Sequence, residues 1–132
     1  MSDGLSWPDV EALVRAWLLE ALPSGVRVST ATPDTLEGVK VVKIAVSTGT
    51  DDGVSDRALL DVQTFAPKRH EARDLAEQCR DALLALGGRD GSDDGTELVD
   101  HVTTSLRPSW VDYKNPHTHR FVASYWVTTR AQ

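Results

Sequence analysis

Residues 58–88 read ALLDVQTFAPKRHEARDLAEQCRDALLALGG, and this stretch decides the fold. Its first part alternates between apolar and polar residues, which is the pattern of a half-buried strand: Leu60, Val62 and Thr64 lie opposite Asp61 and Gln63. From residue 67 to residue 86 the period becomes that of a helix with one apolar face, formed by Ala72, Leu75, Ala76, Cys79, Leu83 and Leu86. A strand that leads directly into an amphipathic helix indicates a domain built from both elements.

The flanking segments extend this pattern in both directions. Ser6, before Trp7-Pro8, is a candidate helix cap, and apolar residues recur at helical spacing from there until Pro23-Ser24-Gly25 ends the run. We expect Gly87-Gly88 to end the second helix in a left-handed cap. Period-two alternation predicts further strands at residues 26–28, 42–46, 98–106 and 120–130. The last of these is apolar on both faces, which predicts that both faces are covered.

These elements predict one α+β domain over residues 1–132. We expect a mostly antiparallel or mixed sheet of five strands with two helices packed on one face, in the order α-β-β-β-α-β-β. A chain of this length buries about two-thirds of its unfolded surface, so one core suffices.

The charge balance bears on possible partners. Twenty acidic and fourteen basic residues give a net charge of -6, which disfavours direct binding to nucleic acid. Two Asp- and Gly-rich runs without apolar anchors, at residues 50–56 and 87–95, hold six of the twenty acidic residues and are expected to be solvated loops. We find no basic start followed by an apolar run and no apolar stretch of membrane-spanning length, so we expect a soluble protein made in a cytoplasm.

Enzymatic motifs are absent from the sequence: it has no phosphate-binding glycine loop, no Gly-x-Ser-x-Gly and no Cys-x-x-Cys. Residues 90–95 resemble a calcium loop only in composition, because His101 stands where the bidentate Glu belongs. We therefore expect no enzymatic activity, no metal and no cofactor.

Two enzymatic alternatives stay open. His117 and His119, two apart at the start of a strand, could bind zinc with Asp112 or His101. A thiol site could combine Cys79 with His101 and Asp100, although the place of Cys79 on an apolar helix face predicts a small core residue.

Residues 108–125, PSWVDYKNPHTHRFVASY, hold three of the six Trp and Tyr residues of the chain. Rigid aromatic side chains with a polar tip suit protein interfaces as well as cores, and both roles stay open for Trp110 and Tyr113. The candidate binding residues in this connector are Trp110, Asp112, Tyr113, His117, His119 and Arg120.

Three segments together resemble the tail terminator, or tail-to-head joining, proteins of long-tailed (siphovirus) bacteriophages, in the form found in actinobacteriophages. They are VEALVRAWL at 10–18, ALLDVQTFA with EARDLA at 58–66 and 71–76, and RPSWVDY, NP and RFVASY at 107–113, 115–116 and 120–125. Other neck, connector or minor tail proteins share this size, and a host-encoded binding domain is a further alternative.

The resemblance implies a non-enzymatic virion protein at the neck of the particle, assembled in the host cytoplasm. Such a protein forms a ring, expected to be hexameric, that caps the head-proximal end of the tail tube, stops polymerisation and offers a face for head-tail joining. Its partners are other copies of itself, the tail tube protein and a head-side neck protein, with DNA passing through and no membrane. Sheet edges and the 110–119 connector are the expected contacts, and Asp51, Asp52, Asp93 and Asp94 are expected to face the lumen or a partner.

Overall fold

The computed structural model describes residues 9–31, 38–51, 55–87, 99–114 and 117–130. Seven elements follow one another in these ranges, in the predicted order: α1 (Val10–Ala21), β1 (Val26–Ser29), β2 (Lys40–Asp51), β3 (Ser55–Ala66), α2 (Arg69–Gly87), β4 (Val99–Val111) and β5 (His119–Arg130). Neither described helix is long and apolar enough to cross a membrane.

The five strands form one mixed sheet in the order β1-β2-β3-β5-β4. Only the pairing of β1 with β2 is parallel, and the three other pairings are antiparallel. The long β2-β3 hairpin and β5 form the centre, while β4 lies at one edge and β1 at the other. The predicted α+β class and element order are confirmed.

Both helices lie on one face of the sheet, as predicted. Their apolar stripes meet the even-numbered side chains of β3 and the odd-numbered side chains of β5, because these positions pair across the ladder. The largest fully buried side chains of this core include Leu18, Ile44, Leu60, Leu83, Leu86 and Tyr125. Trp17 packs against the core and donates from its indole Nε1 to the Ala82 carbonyl at 2.8 Å, which ties the two helices together.

The element ends differ from the sequence predictions in several places, including the β2-β3 hairpin, where β2 runs to Asp51 and β3 begins at Ser55 within the predicted loop at 50–56. Asp9 is the N-cap of α1, accepting the amide hydrogen of Ala12 at 3.1 Å, while the predicted cap Ser6 lies outside the described residues. β4 continues to Val111 instead of ending near residue 106, and β5 begins at His119.

A further difference concerns Gly87. It is the last residue of α2 and does not have a positive φ, so the predicted left-handed cap is wrong at this position. A Cβ on Gly87 would collide with the backbone nitrogen of Val102 and lie 3.0 Å from the His101 carbonyl carbon. Glycine is therefore required here because the end of α2 approaches the β4 backbone closely.

Candidate functional site

Arg120, Asp112 and Tyr113 come together at one end of the sheet, on the face away from the helices. The Arg120 Nη2 donates to the Asp112 carbonyl at 3.0 Å, and its guanidinium lies 5.2 Å from the centre of the Tyr113 ring. Tyr113 in turn meets Phe65 edge-on, with ring centres 5.3 Å apart and planes at 73°. The segment after β4 is thus folded back so that Tyr113 covers this end of the face.

Trp110 belongs to a different surface from Tyr113, and it lies in strand β4 rather than in the predicted connector. It pairs with Phe121 of β5, so it projects to the helix side, beside the buried cluster of Ala66, Ala72, Ala76 and Phe121. Trp110 is 38% exposed, and the Arg69 guanidinium at the start of α2 lies 4.5 Å from the centre of its ring. Trp110 is therefore a rim residue with one open face, compatible with a contact to another protein.

The histidines do not share a strand as the sequence suggested. His117 is an exposed turn residue, while His119 is the half-buried first residue of β5, opposite Ala66. Successive strand residues point to opposite faces, so His119 lies on the helix side and Arg120 on the other. Within the described ranges, no three His, Cys, Asp or Glu side chains are grouped so that they could hold a metal.

Cys79 is fully buried in the core, as its position on the helix predicted. Burial raises the pKa of the thiol to about 12, so it stays protonated near neutral pH. His101 is an exposed residue of β4 whose Nε2 lies 3.4 Å from the Thr128 hydroxyl. A protonated, inaccessible thiol is a poor nucleophile, which counts against the thiol-enzyme alternative.

The predicted acidic loops fall mostly outside the described residues. This holds for Asp52, Asp93 and Asp94. Asp51 is the last residue of β2, and its backbone pairs with Asp56 of β3. The predicted loop at 50–56 is therefore wrong at its two ends, because Asp51 and Asp56 are paired strand residues near the tip of the β2-β3 hairpin. Where the Asp51 carboxylate points stays a prediction.

The sheet has a second face that the sequence analysis did not single out as a site. No described helix lies on it; we call it the open sheet face. Its apolar members are the half-buried Leu59, Val122 and Trp126, together with Leu106 at the β4 edge, which is 47% exposed. Its other members, assigned from the pairing register, are Lys43, Ala45, Arg57, Asp61, Gln63, Thr103 and Ser124. The apolar residues on both faces of β5 predicted that both faces are covered, and no described helix covers this one.

Arg57 and Trp126 form the end of the open sheet face opposite Tyr113. The Arg57 guanidinium lies 4.2 Å from the centre of the Trp126 ring, which is cation-π distance. Towards the middle, the Ser124 hydroxyl donates to the Asp61 carboxylate at 3.3 Å. Apolar side chains beside one hydrogen-bonded acid, with cations at both ends, make a surface that suits an amphipathic partner with acidic ends.

The sheet edges are poor candidates for the predicted strand-to-strand contacts. The register of β4 against β5 shifts three times, between Val99 and His101, between Thr104 and Leu106, and between Leu106 and Ser109. Such bulges and the edge residue Pro108 interrupt the row of backbone groups that an added strand needs. At the opposite edge, β1 pairs only with residues 40–43, so the rest of β2 forms the edge. There the Glu11 carboxylate already accepts the Val46 amide hydrogen at 2.8 Å, and this hydrogen is not open to an added strand.

A polar cleft of about 380 Å³ lies between the α1-β1 turn and α2. Lys40, His70, Glu71 and Asp74 line it, and the Lys40 amine lies 4.0 Å from the Glu71 carboxylate. Both charged groups are partly exposed, so we expect this pair to contribute little to stability.

No protein-family model matches this chain, and no curated protein matches it. Among solved structures, 25 chains match. One is a chain in the structure described as "Virion of native gene transfer agent (GTA) particle", with a TM-score of 0.58 and 14% sequence identity. The match covers 90% of this chain and 85% of that chain. The two chains share a fold. The shared part includes almost the whole of each chain, and so both the sheet and the helices.

Proposed function

We propose that this protein is a structural component of a tailed phage virion or of a related particle, and that its role is tail termination. The observation that carries the proposal is the likeness over 90% of the chain to a chain from the virion of a gene transfer agent particle. The closing segment around Trp110 and Arg120, which resembles that of tail terminators, supports the same reading independently of the fold.

In this role, copies of the chain form a ring, which we take to be a hexamer, on the head-proximal end of the finished tail tube. The ring stops further addition of tube subunits and gives the head-side neck protein a surface to bind. The protein acts by shape and surface and carries no cofactor. Its place is the neck of the virion, and it assembles in the host cytoplasm.

The rim residues give this proposal its candidate contacts. Trp110 offers a half-exposed ring held by Arg69, and the Asp112-Tyr113-Arg120 group is fixed by hydrogen bonding and ring contacts. Preorganised aromatic and Arg side chains are the residue types that contribute most to protein interfaces. We propose that Trp110 and its neighbours, with His117 and His119, meet either the next subunit or the tube.

The acidic loops have a separate part in the proposal. Asp51, Asp52, Asp93 and Asp94 face the lumen or the neck partner, and the net charge of -6 supplies the physical reason. A lumen with negative charge repels phosphate, so DNA can slide through without binding.

Electron microscopy of particles made without this protein tests the proposed function. We expect overlong tails, or tails of normal length that are not attached to heads. Particles with attached tails of normal length contradict termination and joining. Tails of normal length beside heads that have lost their DNA point instead to a head-side neck protein.

A further inference from the structure

Helix α1 matches the open sheet face in length and in the spacing of its charges. Along β3, Arg57 and Gln63 are six residues apart, and Gln63 pairs with Lys43 of β2. At about 3.3 Å per residue, the two cations therefore lie about 20 Å apart along the strands. The acid between them, Asp61, already accepts a hydrogen bond from Ser124.

The outer side of α1 carries the complementary features. Asp9 caps its start and Glu20 lies in its last turn, and both side chains are exposed. Eleven residues of helix separate them, which is about 17 Å. Leu19, beside Glu20, is 46% exposed, the largest exposed apolar side chain of the described helical residues. Arg15, the helix's basic residue, donates to the Val28 carbonyl of its own chain at 3.0 Å.

We propose that α1 of a second copy of this chain docks on the open sheet face. Glu20 meets Arg57, Leu19 packs on Leu59 and Trp126, and Asp9 meets Lys43. Asp9 and Glu20 are both acidic and Lys43 and Arg57 are both basic, so the charges attract in either direction of α1. The packing of Leu19 on Leu59 and Trp126 therefore fixes the direction. The contact removes from water the apolar surface that the helices of one chain leave uncovered.

This contact joins two different patches, since α1 and the open sheet face lie on opposite sides of one molecule. Every copy then offers one patch to each of two neighbours, and repeated contacts give a ring when the rotation closes. The inference deepens the proposed function and rests on it for ring closure, but the contact itself is a property of the chain alone.

Cross-linking of the full-length chain tests the contact. Ala16→Cys and Thr103→Cys, combined in one chain, keep Leu19 and place thiols at an exposed position of α1 one turn before it and beside Trp126, which pairs with Thr103. A short bismaleimide should then give a ladder of dimers, trimers and larger species, because each copy can react with two neighbours. The native Cys79 is buried and stays silent.

The matched control moves only the helix-side thiol. Ala85→Cys with Thr103→Cys uses an exposed position on α2 and should give no ladder. A ladder from the control pair, no ladder from the test pair, or dimers alone from the test pair overturns the proposal. Dimers alone would indicate a symmetric contact, in which one patch binds its own copy.

Charge reversal tests the orientation. Arg57→Glu or Glu20→Lys alone should lower the yield of cross-linked species about two- to fivefold, which is the range for an exposed ion pair. The combined Arg57→Glu/Glu20→Lys chain should recover most of the yield, and a combined chain no better than the single variants overturns the contact.

The proposed contact and the proposed function fail separately. A ladder together with normal, attached tails in deletion particles contradicts termination, whereas overlong tails without a ladder contradict only this contact.

Discussion

Replacing Gly87 by Ala sets two effects against each other at the end of α2. Alanine in a helix is favoured over glycine by roughly 0.5–1 kcal/mol, so helix propensity alone predicts a more stable protein. The new methyl group would collide with the Val102 backbone nitrogen and lie 3.1 Å from the Val102 Cβ. Neither neighbour is the end of a flexible side chain, so α2 and β4 must move apart.

Overpacking of this kind destabilises by about 1–3 kcal/mol, which exceeds the gain from propensity. We therefore expect Gly87→Ala to lower the free energy of unfolding by up to about 2 kcal/mol. Urea unfolding followed by circular dichroism measures the change. Ala85→Gly, at an exposed position of the same turn, is the control and should lose only about 0.5–1 kcal/mol. A Gly87→Ala chain as stable as the parent or more stable would refute the close approach of α2 to β4.

Three further predictions concern the core, the rim and the buried thiol. Leu83→Ala empties a fully buried site and should lower the free energy of unfolding by about 2–5 kcal/mol in urea melts. Trp110→Ala removes a half-exposed ring and should lower it by only about 1–2 kcal/mol, while reducing head-tail joining in particles; an unfolded variant would place Trp110 in the core. Because burial raises the Cys79 pKa from 9.0 to about 12, the unfolded thiol ionises first, and stability should fall between pH 9 and pH 12. Cys79→Ala should flatten that fall in pH-dependent melts, and an unchanged slope would show that Cys79 does not cause it.

The element types could be predicted because each segment has one clear period. The apolar stripe of α2 and the alternation in β3 have no competing interpretation, and the structure confirms both. The end of β4 was missed because Pro108 indicates a break in a strand. At a sheet edge a register shift between Leu106 and Ser109 takes up Pro108, and pairing with β5 resumes at Ser109, so β4 continues to Val111.

The candidate site was harder to predict, because strand pairing and helix packing decide which side chains meet, and distance along the sequence does not. Trp110 and Tyr113 are three residues apart, yet the first contacts Arg69 on the helix side and the second contacts Phe65 on the open sheet face. Arg69 and Phe65 come from a part of the chain more than forty residues earlier, and sequence spacing does not indicate that they meet. The role of Gly87 was missed for the same reason, because the backbone that excludes a side chain there belongs to β4.

Cryo-electron microscopy of the intact particle that contains this protein tests the proposed tail-terminator role most directly. We expect a closed ring of this fold between the head-side neck and the last ring of tail tube subunits, with β5 and the 110–120 segment at contacts between proteins. Density for the fold elsewhere in the particle, or an intact particle that contains no copy of the chain, would contradict it.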